Sequence, residues 1–492
     1  MSSLQPSGML NRDQVKYFYL ITACFAILLG YSIMKGMLFM AGLPVFFLIC
    51  LIMIFRLDLI AFFSVIITPL SINLAHTSIG IGVSLPSEPL MFGIFMLFWL
   101  KVFEEGGLHK KILLHPVSIV IYIHLGWYLI TTLTSSLPLV SFKSTLARYC
   151  YISVYYFMFL YLFARKENLI RFIWAYTIPL LIIIFYTISI HALGGFSEEV
   201  AHTAMVPFYN DHTAYAAVLS FFVPVFFGFT FDSTRSKKTR WISGLVLTIL
   251  LLAVILSYTR AAWVGLVAAL CCYLAFIMRM KSVIIYGSFA MLVLLAFLFR
   301  AQITMKLESN QEVSSDDYAS HVQSIGNISS DDSNIERLNR WACALRMFAD
   351  RPVFGYGPGT YMFKYGAYQK YSERSGISTN FGEGGGSHSE YLGPLSEQGF
   401  MGPLIVIALI ITVTQTAANY IRRTTSKRNK TLAKGVLLGL VTYWVHGVLN
   451  FFLDTEKASV PYWGFIAILV ALQLYDTSGS GEETNTEQGN IV

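Results

Sequence analysis

About fourteen apolar runs, each near the length of a membrane crossing, leave this chain few folds to choose from. They lie near 17–34, 37–55, 59–74, 90–103, 117–133, 146–164, 169–190, 213–231, 241–257, 261–278, 283–299, 402–420, 431–452 and 460–474. A helix needs about 20 apolar residues to span the hydrocarbon core. The expected architecture is all-α: a polytopic membrane helical bundle of about 14 transmembrane helices, with one large outer-side loop containing amphipathic helices. Four regions follow. Residues 1–300 hold about eleven spans, 301–401 form the large loop, 402–475 hold about three spans, and 476–492 make a disordered cytoplasmic tail.

Charged residues fill 13% of the 492 positions, against roughly 25% in soluble domains, which excludes a soluble enzyme on an anchor. The net charge of +7 is no nucleic-acid footprint, because the basic residues stand in short blocks between apolar runs. With the N-terminus inside, the inner loops carry Arg56, Lys110, Lys111, Arg165, Lys166, Lys237, Lys238, Arg279 and the cluster from Arg422 to Lys434. The short outer loops carry only Lys35, Lys143, Arg148, Arg260 and Lys457. That asymmetry puts both termini in the cytoplasm and the long loop on the periplasmic face. Of the cysteines only Cys343 lies outside an apolar run, and no CxxC or HxxxH spacing occurs, so neither a disulfide framework nor a metal site is expected. The polar residues 1–16 precede no cleavage site, so the first run is expected to be retained.

The loop at 301–401 is far longer than an ordinary connection and carries caps, aromatics and paired arginines, so it reads as a folded site on a helical scaffold. Ser333 and Glu336 have capping-box spacing. Leu338, Trp341, Leu345 and Phe348 share one helical face, and Asp350, Arg351 and Pro352 end it: an amphipathic helix suited to a membrane surface. Arg337 and Arg340, one turn apart, either point together at a lipid diphosphate or decorate a solvated face. The sequence GYGPG at 355–359 lacks the Gly-Lys-Ser/Thr of a nucleotide loop and reads as a tight turn that lets backbone approach another element. Tyr361, Tyr365 and Tyr368 follow at helical spacing, as sugar-stacking rings or, in the favoured reading, an interfacial aromatic belt.

His388 is the leading catalytic candidate. Ser387 and Glu390 again have capping-box spacing, which would put His388 at the first position of a helix. A positive helix end keeps imidazole neutral and attracts phosphate. The Gly-rich stretch 382–386 permits close approach; the alternative is a surface histidine. Arg260, in SYTRAAW at 257–263 between two spans, either binds phosphate through its fork or snorkels to headgroups, and Arg148 divides the same way. Asn210, Asp211 and His212 open a span and either line the same cavity or cap their helix. Asp454 and Glu456 either pair with the arginines or form a plain turn.

Together SYTR at 257–260, ERLNRW at 336–341, PVFGYGPG at 352–359, SHSEYL at 387–392 and EQGFMG at 397–402 resemble the O-antigen ligase and O-antigen polymerase superfamily. The resemblance covers roughly 213–475. It implies a metal-independent, inverting glycosyltransferase of the bacterial inner membrane, without cofactor, that takes a glycan from an undecaprenyl-diphosphate carrier. Arg260 and Arg340 would hold the diphosphate, with Arg337 and Arg148 as further donor-binding residues. His388 would act on the acceptor hydroxyl, supported by Glu390, His212, Asp211 and Tyr361. The acceptor would be a growing glycan, lipid A-core or a protein hydroxyl. Gly393 and Pro394 replace helix formers, so a kink is expected there. The rival class, a transporter of lipid-linked sugars, would need mid-span charges or an internal repeat with broken spans; the sequence has few of the former and no visible repeat.

Overall fold

The computed structural model of the chain describes residues 56–73, 83–278, 332–374, 378 and 385–476, with the single positions Ala23, Gly30, Tyr31 and Met34. The expected spans at 17–34, 37–55 and 283–299, the loop stretch 301–331 and the tail beyond Asp476 lie outside the described residues. The chain divides into two units, Met1–Ala61 with Val492, and Phe62–Ile491; the site and its scaffold belong to the second.

The described helices of seven residues or more are α1 (Leu57–Leu70), α2 (Ser87–Glu104), α3 (Pro116–Leu133), α4 (Pro138–Ile152), α5 (Lys166–Leu193), α6 (His212–Phe231), α7 (Lys237–Leu256), α8 (Arg260–Ile277), α9 (Asp332–Asp350), α10 (Leu392–Gln398), α11 (Met401–Arg423), α12 (Lys427–His446) and α13 (Glu456–Tyr475). A π-helical turn, Ser153–Met158, carries α4 on into Phe159–Leu162. A two-residue antiparallel pair joins Ile72–Asn73 to Ser84–Leu85. Every apolar run that falls within the described residues overlaps a helix. Seven helices, α3, α5, α6, α7, α8, α11 and α13, are long and apolar enough to cross a membrane by length and composition.

The starts of these helices follow from their first residues. Pro116 and Pro138 open α3 and α4, where no N–H is needed. Asp211, Ser236 and Ser426 cap α6, α7 and α12 through side-chain oxygens that accept from N–H groups of the first turn. The core gathers around α13, which is apolar on every side and buried from Glu456 to Leu472. It packs against α6, α11, α12 and the π-helical turn. Its charged start is satisfied within the protein: Ser71 Oγ donates to Glu456 Oε1 at 2.8 Å and Lys457 Nζ donates to the Ser71 carbonyl at 2.8 Å.

α12 lies close against α6 and α8 because glycines remove the side chains between them. A Cβ on Gly439 would stand 2.3 Å from the Phe221 carbonyl oxygen, and one on Gly265 would stand 2.7 Å from that of Thr442. The loop helix α9 packs on α10. Its buried face is Glu336, Asn339, Arg340, Cys343, Ala344 and Met347, whereas Leu338 and Leu345 stay exposed. The stripe read from the sequence is therefore divided: Leu338 and Leu345 face outward, while Trp341 and Phe348 are part-buried and Trp341 donates its indole N–H to the His388 carbonyl at 3.4 Å.

Candidate active site

The loop is fixed to the bundle by the GYGPG turn. Its glycines Gly355, Gly357 and Gly359 all have positive φ. A Cβ on Gly357 would stand 2.2 Å from Ser135 Oγ, in the turn between α3 and α4. Tyr356 N–H donates to the Ser396 carbonyl and Gly357 N–H to that of Glu397, while Ser136 N–H donates to the Tyr356 carbonyl at 2.9 Å. The turn thus threads between α10 and a membrane hairpin, the close backbone approach its composition calls for.

The tyrosines that follow do not form an aromatic belt or a sugar platform. Tyr361 and Tyr365 are buried with Cys343, Ala344, Met347 and Tyr356, and Tyr368 packs against that cluster. The Tyr361 and Tyr365 rings stack with centroids 5.2 Å apart. Tyr361 donates its hydroxyl to the Arg340 carbonyl at 2.7 Å, so its role is to hold the arginine-bearing turn of α9. Short apolar one-turn helices bury their rings where a soluble core needs them, and this loop builds such a core.

Neither capping box forms. Ser333 lies inside α9, and Glu336 reaches along the helix to Arg340, whose Nε donates to Oε1 at 2.7 Å. Burial alone would raise the Glu336 carboxyl, but hydrogen bonds from Ser378 and Arg340, with the Arg340 charge, hold it below the usual range. Arg340 is buried; Nη1 also donates to the Gly386 carbonyl at 3.0 Å, and the guanidinium lies 5.2 Å from the Tyr365 centroid. Gly385 has room for no side chain, since its Cβ would fall on the Arg340 guanidinium, and one on Gly386 would stand 2.1 Å from the Phe451 ring. Arg340 thereby pins the segment that leads into His388.

His388 is not at a helix start. It has φ of 51° in an irregular segment, and the helix begins at Leu392. Ser389 takes the capping role, its Oγ accepting from Tyr391 and Leu392 N–H, while Ser387 turns back to the Ser389 carbonyl. Because α10 starts later than expected, Pro394 falls in its first turn, where a proline costs no hydrogen bond, and no kink results. The ring is neutral for other reasons than a helix dipole. Burial first, then the charges of Arg340 and Arg337, push His388 down to about 4, with Asp211 and Glu336 acting the other way.

Those charges identify the residues brought together. Arg337 acts on His388, His212 and His446 alike, and Asp211 on the same three. Asp211 also caps α6, accepting from Ala214 N–H at 2.7 Å. The His212 ring stacks on His202 at 4.1 Å. Arg260 opens α8, half-buried, after a turn in which Thr259 Oγ1 donates to the His212 carbonyl at 3.3 Å.

Glu390 and Arg148 form a second cluster. Glu390 Oε1 accepts from the Tyr443 hydroxyl at 2.5 Å and from the N–H groups of Phe452 and Leu453 at 2.7 and 2.9 Å. Burial raises its pKa, with the Asp454 charge adding to this and the hydrogen bonds opposing it. Glu390 N–H donates to the Gly447 carbonyl, which seats the His388 segment on the end of α12. Arg148 is buried rather than reaching out to headgroups; it pairs with Asp454 at 2.6 Å and lies over the Tyr128 ring. Glu397 on α10 is pushed up to about 8 by burial and the Asp454 charge, although it accepts from the N–H groups of Tyr361 and Gly359.

The buried histidines His446 and His124, near Glu390 and Arg148, were passed over in the sequence reading. His446 meets Asn450 Nδ2 through Nε2 at 3.2 Å, and His124 lines a small cavity with Arg148 and Glu390. Both are ionisable residues inside apolar runs, the signal that would have found them. Among the described residues no group of three or more His, Cys, Asp or Glu side chains is placed to hold a metal ion.

Residues 244–407 match the family model described as O-antigen ligase, a segment that takes in Arg260, α9, GYGPG and His388. No curated protein matches the chain. The described part of the loop, its arginines and its histidine thus lie within a segment similar to O-antigen ligase and polymerase-like membrane glycosyltransferases.

Proposed function

We propose that the chain moves a glycan from an undecaprenyl-diphosphate carrier to an acceptor hydroxyl on the periplasmic face of a bacterial inner membrane, with inversion and without a metal. The observation that carries this reading is the convergence of Arg337 and Arg340 on His388, all three inside the matched segment, with Asp211 joining them from the start of α6. The acceptor oxygen attacks the anomeric carbon and forms the new C–O bond. The bond from that carbon to the phosphate oxygen breaks, and undecaprenyl diphosphate leaves with the electron pair. His388, neutral beforehand, takes the hydroxyl proton; a base within hydrogen-bond reach contributes about 10²–10⁴-fold. Arg260, Arg337 and Arg340 stabilise the departing charge near low-dielectric lipid, where such pairs gain strength. Arg148 supports the site through Asp454 and Glu390.

Binding the dianionic donor also prepares the base. The two arginines that depress His388 are neutralised by phosphate, so its proton affinity rises only once donor is in place. The same chemistry on a growing chain makes a repeat-unit polymerase, and on a protein hydroxyl a protein O-oligosaccharyltransferase; lipid-linked sugar transport is the rival class. The glycolipid profile of a deletion strain separates them. Long chains kept on the carrier and lost from lipid A-core mean ligase, and single repeat units left on the carrier mean polymerase. Glycoprotein loss alone means protein transfer, and donor trapped on the cytoplasmic face means transport.

A further inference from the structure

At the end of the bundle away from the loop, α6, α7, α8 and α12 part around a cavity of about 370 Å³, within the range of ordinary ligand sites. Its walls are apolar, with Phe227, Phe231, Leu251 and Leu270 among them, and its polar edge is Asp232, Thr431 and Lys434. Phe231 is 64% and Leu270 55% exposed, so the cavity opens sideways toward the surrounding hydrocarbon.

The mouth is basic. Lys427, Lys430 and Lys434 recur along one face of α12, and Lys434 lines the cavity itself. Arg235, in the turn between α6 and α7, is buried with its Nε 3.3 Å from Asp232 Oδ2 and its guanidinium 3.8 Å from the Phe229 centroid. Its Nη2 donates to no protein group, where buried polar atoms are ordinarily bonded. The neighbouring charge acting against it is that of Arg428. Asp232 is the one carboxylate that lines the cavity among the described residues, and its Oδ1 is taken by Thr234 N–H and Oγ1. Cations thus outnumber the carboxylate at the rim of an apolar cavity, and an anion with a hydrocarbon tail satisfies both parts.

We propose that this cavity seats one acyl chain of an anionic phospholipid, with its phosphate held by Lys434, Arg428 and Arg235. Basic pockets between membrane helices take acidic lipid headgroups by this complementarity. A zwitterionic lipid brings its own ammonium to the same rim and meets repulsion. The site is separate from the transfer centre, so it stands whichever acceptor that centre uses.

The test titrates the delipidated full-length protein with phosphatidylglycerol or phosphatidylethanolamine of identical chains, read by native mass spectrometry. Phosphatidylglycerol is expected to bind about tenfold tighter, a difference of about 1.4 kcal/mol. The double variant Arg428→Gln with Lys434→Gln should remove that preference, and Lys434→Arg should keep it. Leu270→Trp, which fills the cavity, should weaken both lipids. Equal binding of the two lipids by the wild-type chain overturns the proposal, as does a preference that survives the double variant. Displacement of phosphatidylglycerol one for one by a polyprenyl phosphate also overturns it, and assigns the cavity to the carrier tail.

Discussion

The imidazole of His388 owes its state to burial and to two arginines, and this gives it a characteristic pH behaviour. Its folded pKa of about 4 lies below the ordinary 6.5, so the folded protein binds fewer protons than the unfolded chain between those values. This contribution to stability is whole above pH 6.5 and is lost as pH falls toward 4. In kinetics, the acid limb of kcat/KM should lie near 4, because that ratio reports the free enzyme. The limb of kcat should lie higher, because donor phosphate screens the arginines; coincident limbs would remove the coupling. His388→Ala should lower transfer by about 10²-fold or more with melting nearly unchanged. Near-normal turnover would end the base assignment. The arginines divide by environment. Arg340 is locked to buried Glu336, so Arg340→Ala strands that carboxylate and should cost about 3–5 kcal/mol of stability. Arg260→Lys keeps charge without the fork and should raise KM for the donor more than for the acceptor with melting unchanged. Wild-type donor KM in that variant would mean charge alone suffices there.

Among the elements, α9 and the GYGPG turn decide whether the site exists. α9 buries the face that carries Glu336 and Arg340, and GYGPG ties the loop to the turn between α3 and α4. Gly357→Ala meets both a positive φ and the Ser135 side chain, so it should cost about 1–3 kcal/mol and depress transfer by misplacing the loop. Thermal melting and a transfer assay check both; an unchanged melt would mean the turn relaxes freely. Glu390 holds the 450–453 stretch through one oxygen. Glu390→Gln preserves an acceptor there and should fold and melt close to wild type, while Glu390→Ala should melt markedly lower. Equal melting of the two would show that the hydrogen bonds contribute little.

For the whole molecule, the charge asymmetry of the loops predicts which face the site occupies. In a cysteine-free background, an impermeant thiol reagent applied from outside should label Ser329→Cys and miss Ser426→Cys. The reverse pattern would put His388 in the cytoplasm and leave a periplasmic transfer impossible. The two ends of the bundle would then serve different lipids. The loop end gathers His388, Arg337 and Asp211, and the opposite end gathers Arg235, Arg428 and Lys434 around an apolar cavity.

The sequence by itself determined the helices, because span length and apolar content are local properties that any bilayer reads the same way. It also marked the backbone approach at GYGPG, since glycine clusters announce close contact without naming the partner. His388, Arg260 and Arg340 were visible as polar residues beside apolar runs. What each side chain touches was decided only by the tertiary structure. Local capping-box spacing did not decide the partners: Glu390 is claimed by Tyr443, 53 residues away, and Glu336 by Ser378, 42 residues away, as well as by Arg340 one turn on. The three tyrosines went inward because α9 supplied a core that periodicity alone does not reveal. His446 entered the site because the end of α12 packs against the His388 segment, a contact set by three-dimensional proximity rather than by spacing along the chain.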